Sequence, residues 1–201
     1  FLTGGQSKNH TTRSMTDQTF KLDINWQANH THSIKTGLHY FNHELKNEWY
    51  DIRNEFYNSG SDSIYAPQIF GDSSAYADAY SISPKEVAFY IQDKMEFDDM
   101  VINVGLRYDQ FDPESVYPSD RRNPANQLIL PDSMMSLYPG APVISQISPR
   151  VGFAYQLGGQ AVLHFSYGHF FQMPPMYAMY ENNSFLVDPN NFVTRMGNTL
   201  L

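Results

Sequence analysis

The residues with the most chemical potential in this chain are its histidines, its loop carboxylates and its tyrosines. His30 and His32 stand two apart, and His39 and His43 four apart. On an extended backbone either spacing puts both rings on one face, and neutral imidazole is a common metal ligand. A metal site needs about four ligands, and no cysteine or tight set of carboxylates accompanies either pair. The simpler reading is polar residues on a strand face or rim. Asp62, Asp72 and Asp78 are available for calcium, but their spacing does not fit the twelve-residue loop that binds it; solvated loop carboxylates account for them. Ser, His and Asp all occur, yet there is no Gly-x-Ser-x-Gly, the strained turn that exposes a nucleophilic serine. Asp98-Asp99 is the one carboxylate pair, and it sits in a turn. The sequence therefore predicts no catalytic residues, no metal ligands, no cofactor and no enzyme. Tyr57, Tyr65 and Tyr76 in one long loop, and Tyr177 and Tyr180 in another, are the candidate ligand contacts, because aromatics on loops bury much area at low entropy cost.

Composition narrows the class. The chain has 201 residues, 13 Lys+Arg against 21 Asp+Glu, a formal charge of −8, and no cysteine. An acidic chain does not suit nucleic acid, whose phosphates call for a basic patch. Disulfides and thiolate sites are excluded. No apolar run is long enough for a transmembrane helix, which leaves open strands that cross a membrane in about 9–11 alternating residues. The chain opens without a signal-like segment or an initiator Met, and we expect it to be a piece of a longer polypeptide.

The elements that must position these residues are strands. From Gln18 to Gln27, Phe20, Leu22, Ile24 and Trp26 alternate with Lys21, Asp23 and Asn25, the period of two that marks a strand. Ile34 to about Lys46 repeats the pattern. A third strand is expected over about Lys85–Phe97, with Asp93 intruding on its apolar face, and a fourth from Met100, where Ile102, Val104 and Leu106 alternate with Asn103, Arg107 and Asp109. Ile147 to Met173 reads as a hairpin turning at Gly158-Gly159, since adjacent glycines supply the positive φ of a tight turn. Residues 1–17, 47–83, 113–146 and 174–198 read as loops, the third broken by repeated prolines that cannot donate to a central ladder. A short helix is expected at Met176–Tyr180, after Pro174-Pro175.

The predicted fold is all-β, an antiparallel up-and-down meander of about six strands. Connections near 30, 98 and 158 are short, and the others are long. Short turns on one rim and long loops on the other are the plan of an outer-membrane barrel. Lys21, Asp23, Asn25, Asn103, Arg107, Asp109, Arg150 and His164 are then expected to face the lumen. Leu22, Ile24, Ile102, Val104, Leu106, Phe153 and Phe165 are expected to face lipid. Aromatics near strand ends, among them Trp26 and Trp49-Tyr50, suit interfacial girdles. Periodicity alone leaves open a soluble sandwich with the apolar face inside.

Several stretches carry a resemblance. Ser148-Pro149-Arg150-Val151-Gly152-Phe153-Ala154-Tyr155 and His164-Phe165-Ser166-Tyr167-Gly168-His169-Phe170-Phe171-Gln172-Met173-Pro174-Pro175 resemble the barrel of TonB-dependent outer-membrane receptors. Agreement extends to Phe89-Tyr90-Ile91-Gln92-Asp93-Lys94, to Asn103–Asp109 with Phe111-Asp112-Pro113, and to His32–Gly37. Gly197-Asn198 stands where the family often has Gly-Asn-Pro, here with Thr199 for the proline. The likeness is greatest to the branch that carries a carboxypeptidase-regulatory-like domain. It implies that residues 1–201 are part of a 22-stranded barrel in the bacterial outer membrane, its plug not represented. Implied partners are outer-membrane lipid, the rest of the barrel and its plug, the TonB energising complex acting through that plug, and a small, scarce nutrient bound outside and imported. The alternatives are a passive porin-like channel and a soluble glycan-binding β-sandwich.

Overall fold

The structure, a computed structural model, describes residues 8–56, 64–120, 122–124, 126, 131–188 and 195–200. Its strands are β1 (Asn9–Gln27), β2 (His32–Asn54), β3 (Pro67–Ile69), β4 (Ala77–Ile82), β5 (Lys85–Glu96), β6 (Met100–Asp112), β7 (Ile144–Leu157) and β8 (Ala161–Gly168); α1 (Met176–Met179) is a single turn. They form one antiparallel sheet in the order β1-β2-β5-β6-β7-β8, with β3 and β4 also paired to β2. The sheet curls like half a barrel.

Three tight connections gather on one rim, at 28–31, 97–99 and 158–160. Gly158 and Gly159 take φ of +58° and +78°, the left-handed region where a Cβ is unwelcome. At 97–99 the amide of Phe97 donates to the Met100 carbonyl at 2.8 Å. The long connections leave from the opposite rim.

Three expected loops are partly strand, one of them, 113–146, only over the first three residues of β7, while β8 ends at Gly168 and does not run on to Met173. Residues 1–17 were expected to be loop, but β1 already begins at Asn9 and pairs without a break, from Asn9 opposite Asp51 to Gln27 opposite Ser33. The 47–83 segment was likewise expected to be loop, but β2 runs on to Asn54 and recruits β3 and β4. The register passes unchanged across Pro84: Asn42 faces Lys85 on one side, and Leu45 faces Ile82 on the other. β4 and β5 are one strand interrupted where proline has no N–H for the ladder; the Pro84 carbonyl still accepts from His43 at 3.0 Å. These extensions lack an apolar face. Thr12, Ser14 and Thr16 alternate with Thr11, Arg13 and Met15, so periodicity gave no signal although the backbone ladder persists.

The distribution of burial is inverted relative to a soluble sheet. Trp26 and Phe165 are each 60% exposed, and Leu22, Ile24, Leu38, Phe89, Ile91, Val104 and Leu106 are exposed with them. Cross-strand rows such as Leu22–Leu38–Phe89–Tyr108–Ile147 make this one continuous apolar face. No second layer covers it among the described residues. His43, Leu45, Asn47, Ala88, Asp109, Phe111 and Ser148 are buried, and all lie on the polar face. A small core of Leu45, Phe111, Met179 and Tyr180 forms there, where the chain after β8 folds back over the sheet near the long-loop rim.

Candidate functional site

The polar face is a dense set of paired groups. The Lys21, Asp23 and Asn25 side chains of β1 share it with Asn103, Arg107 and Asp109 of β6, Arg150 of β7 and His164 of β8. Leu22, Ile24, Ile102, Val104, Leu106, Phe153 and Phe165 are on the other face. The arrangement expected from alternation is thus one of common faces across all six main strands. Arg107 donates to Asp109 at 2.8 Å. Tyr90 lies across Gly37, and its hydroxyl donates to Asp23 two strands away. A Cβ on Gly37 would sit 2.5 Å from both the Asp23 Oδ1 and the Tyr90 ring, so the glycine is what lets the tyrosine bridge β5, β2 and β1.

His32, His39 and His43 are engaged by carboxylates. His43, buried, meets Asp17 at 2.7 Å and Glu86 at 3.4 Å; His39 meets Asp23 at 3.3 Å. His32 starts β2 on the apolar face and binds Asp93 at 2.7 Å, which supplies the partner for the carboxylate that interrupts that face. His30 lies in the turn before β2, so it does not share a strand face with His32. No group of three ligating side chains with metal-binding geometry occurs among the described residues.

Toward the long-loop rim the polar face opens into a cleft of about 490 Å³ between the extensions of β1, β2 and β4 and the 181–188 segment. Arg13 donates to Asn47 at 3.0 Å and stacks 5.4 Å from the Tyr177 ring. Arg53 stacks 4.2 Å from Tyr76 and reaches Asp51 at 3.5 Å. Trp49 and Tyr80 complete the aromatic lining. The opposite wall is fixed by Asp78, which is buried and accepts from the Asn183 amide at 3.1 Å. Burial pushes the Asp78 carboxyl above its ordinary value, against the backbone amides of Asn182, Asn183 and Ser184 that pull it down. Phe185 holds a left-handed φ of 55° and stacks on Tyr138 at 5.0 Å, a conformation costing about 1–2 kcal/mol that the surrounding packing must offset. Gly197 lies so close to the Met179 backbone that a Cβ has no room, and the Thr199 hydroxyl donates to the Val116 carbonyl at 3.0 Å. The Gly-Asn-Thr stretch therefore packs against the end of α1 and is tied to the loop after β6.

The profile of the TonB dependent receptor-like, beta-barrel family matches residues 1–201. The chain belongs to this family. No curated protein and no solved structure matches it. The family is one of bacterial outer-membrane receptors and transporters and not one of enzymes. It fixes what the bare apolar face means for the fold: this is a section of a membrane barrel, and the soluble sandwich is excluded. In such barrels the short turns are periplasmic and the long loops extracellular, which puts the cleft at the outward end of the receptor.

The tyrosines expected to touch ligand are dispersed. Tyr76 lines the cleft, and Tyr177 borders it through Arg13. Tyr65 is exposed beside Lys8, 5.5 Å from its ammonium. Tyr57 lies outside the described residues. Tyr180 is 1% exposed, and its hydroxyl donates to the Pro113 carbonyl at 2.9 Å; it packs the loop core and has almost no surface to offer a ligand. Its hydroxyl pKa is pushed up by burial. Sequence reasoning missed Arg13, Asn47 and Arg53 because they lie in segments read as loops. It read Trp49 as a girdle residue, whereas Trp49 stands on the polar face in the cleft. Its odd-numbered alternation with Asn47 and Asp51 was the available signal.

Proposed function

We propose that this chain is wall and outer mouth of a receptor that captures a scarce nutrient and imports it with energy supplied through TonB, the outward cleft being a first contact for that nutrient. The polar face lines the lumen and meets the plug; the apolar face meets lipid. The observation that carries this is the inversion of burial: apolar rows stand bare while His43, Leu45, Asn47, Ala88, Asp109, Phe111 and Ser148 are buried on the polar face, in a chain of the receptor family. The resemblance further favours the branch with a carboxypeptidase-regulatory-like domain, which the coding sequence preceding Phe1 would reveal.

A growth comparison tests energised import. On media limiting in single nutrients, a strain lacking the full-length receptor should show a defect that loss of the energising protein reproduces and does not deepen. A receptor-dependent defect that persists unchanged whether or not the energising protein is active would instead favour the passive porin-like channel.

A further inference from the structure

We infer that His32 and Asp93, on the apolar face beside the short-turn rim, seat the headgroup of an ethanolamine phospholipid in the inner leaflet. This rests on the reading of the apolar face as the one that meets lipid, and it goes further by naming a lipid and its seat. Between the Tyr40 row and the short turns, Asp93 is the one carboxylate on that face. An ionisable group turned toward lipid is costly, so its presence points to a polar partner. A pair that only braced the ladder would cost less on the polar face, where His39 and Asp23 already meet. His32 is the first partner. Its Nδ1 stands 2.7 Å from the Asp93 Oδ2, diagonally across β2 and β5. With Nδ1 taken by the carboxylate, Nε2 is the ring's remaining donor when the ring is charged. The His32 side chain is 40% exposed, and Nε2 has no hydrogen-bond partner among the described residues.

Depth and charge select the second partner. His32 is the first residue of β2, directly after the turn at 28–31. Trp26 and Phe97 stand exposed along the same rim, as the aromatics of an interfacial girdle do. The polar groups a bilayer offers at that depth are its headgroups. A phosphate oxygen there accepts from the His32 Nε2–H, a charge-assisted bond of the strong kind. The neighbouring turn supplies the opposite charge. Asp98 and Asp99 are exposed in it, and the Glu96 amide donates to the Thr31 carbonyl at 2.8 Å, which holds that turn beside the start of β2. These acids disfavour a headgroup that is purely anionic. They suit a primary ammonium, which has three N–H donors; a quaternary ammonium has none. Phosphate at His32 and ammonium at Asp98-Asp99 is the charge order of phosphoethanolamine.

The test uses the purified full-length receptor in detergent. It is given an equimolar mixture of phosphatidylethanolamine, phosphatidylcholine and phosphatidylglycerol with the same acyl chains. Native mass spectrometry reads which lipid stays bound as detergent is stripped. Phosphatidylethanolamine should be retained in preference to the other two. His32→Ala should weaken its retention about tenfold, the scale of one hydrogen bond to a charged group. His32→Gln, which keeps a donor, should recover part of the loss. Heat-modifiable mobility confirms that each variant is folded. If His32→Ala does not assemble, the double variant Asp98→Asn, Asp99→Asn, which lies outside the strands, should by itself narrow the preference for phosphatidylethanolamine over phosphatidylcholine. Equal retention of the three lipids, preference for either of the others, or a preference unmoved in the folded variants would overturn the assignment. The reading of the faces fails separately, by equal tolerance of arginine at Val104 and at Asn103.

Discussion

The two ends of this sheet obey different rules although they share the same strands. In the half toward the short turns, alternation separates a bare apolar face from a paired polar one: Leu22, Leu38 and Phe89 on one side, Asp23, Gly37 and Tyr90 on the other. In the half toward the long loops, both faces are polar, and apolar packing moves to the inside. Leu45 and Phe111 are buried under Met179 and Tyr180. On the proposed reading the difference is the solvent. Where lipid meets the outer face of a barrel, hydrophobic side chains there cost nothing and polar ones are penalised. Above the bilayer both faces would meet water, leaving the strands to be held by their ladder and by loops folding over the inner face.

The largest test of that contrast is a pair of adjacent arginines. Val104→Arg should impair assembly of the full-length receptor, read as loss of heat-modifiable mobility, since an arginine on the lipid face costs roughly 2–4 kcal/mol near mid-span. Asn103→Arg, beside it on the polar face, should assemble close to normally. Equal tolerance at the two positions would end the assignment of faces.

That same contrast explains what the sequence disclosed. The six main strands were legible from Phe20, Ile24, Val104 and their neighbours because one continuous apolar face imposes a hydropathy period. The Gly158-Gly159 turn was legible because only glycine takes such φ readily. β1 before Gln18, β2 after Lys46, and β4 were hidden because they lack an apolar face and so show no hydropathy period. The cleft was hidden for the same reason: Arg13, Asn47, Trp49 and Arg53 lie in those extensions, and alternation without an apolar face looks like loop. The burial of Tyr180 was hidden for a different reason. Its type suits contact, but only tertiary packing on Leu45 and Phe111 shows that it is enclosed.

An intermediate effect is expected within the lower half, where the polar face has its own fit. Gly37→Val would drive a side chain into the space Tyr90 occupies over Asp23. Overpacking of this kind costs about 1–3 kcal/mol, measurable as a lower temperature for the gel-mobility transition of the receptor. Tyr90→Ala in the same chain should recover part of the loss, because the valine then has room. Additive losses in the double variant would show that the tyrosine is not seated on the glycine.

The smallest effect belongs to the upper half, and it depends on pH. The buried Asp78 carboxyl titrates above its ordinary value of 3.8 in the folded state, so the folded receptor holds that proton more readily than the unfolded chain does. Its contribution to the docking of the 181–188 segment is therefore fully present below about pH 4 and is lost as pH rises through the folded value. Asp78→Asn keeps an oxygen to accept from the Asn183 amide and removes the charge. Limited proteolysis of the segment should become independent of pH across this range in the variant, while the parent is cut faster as pH rises. If parent and variant follow the same profile, the Asp78 charge has no part in holding the cleft wall, and the wall would then rest on the packing of Phe185 and Tyr180 alone.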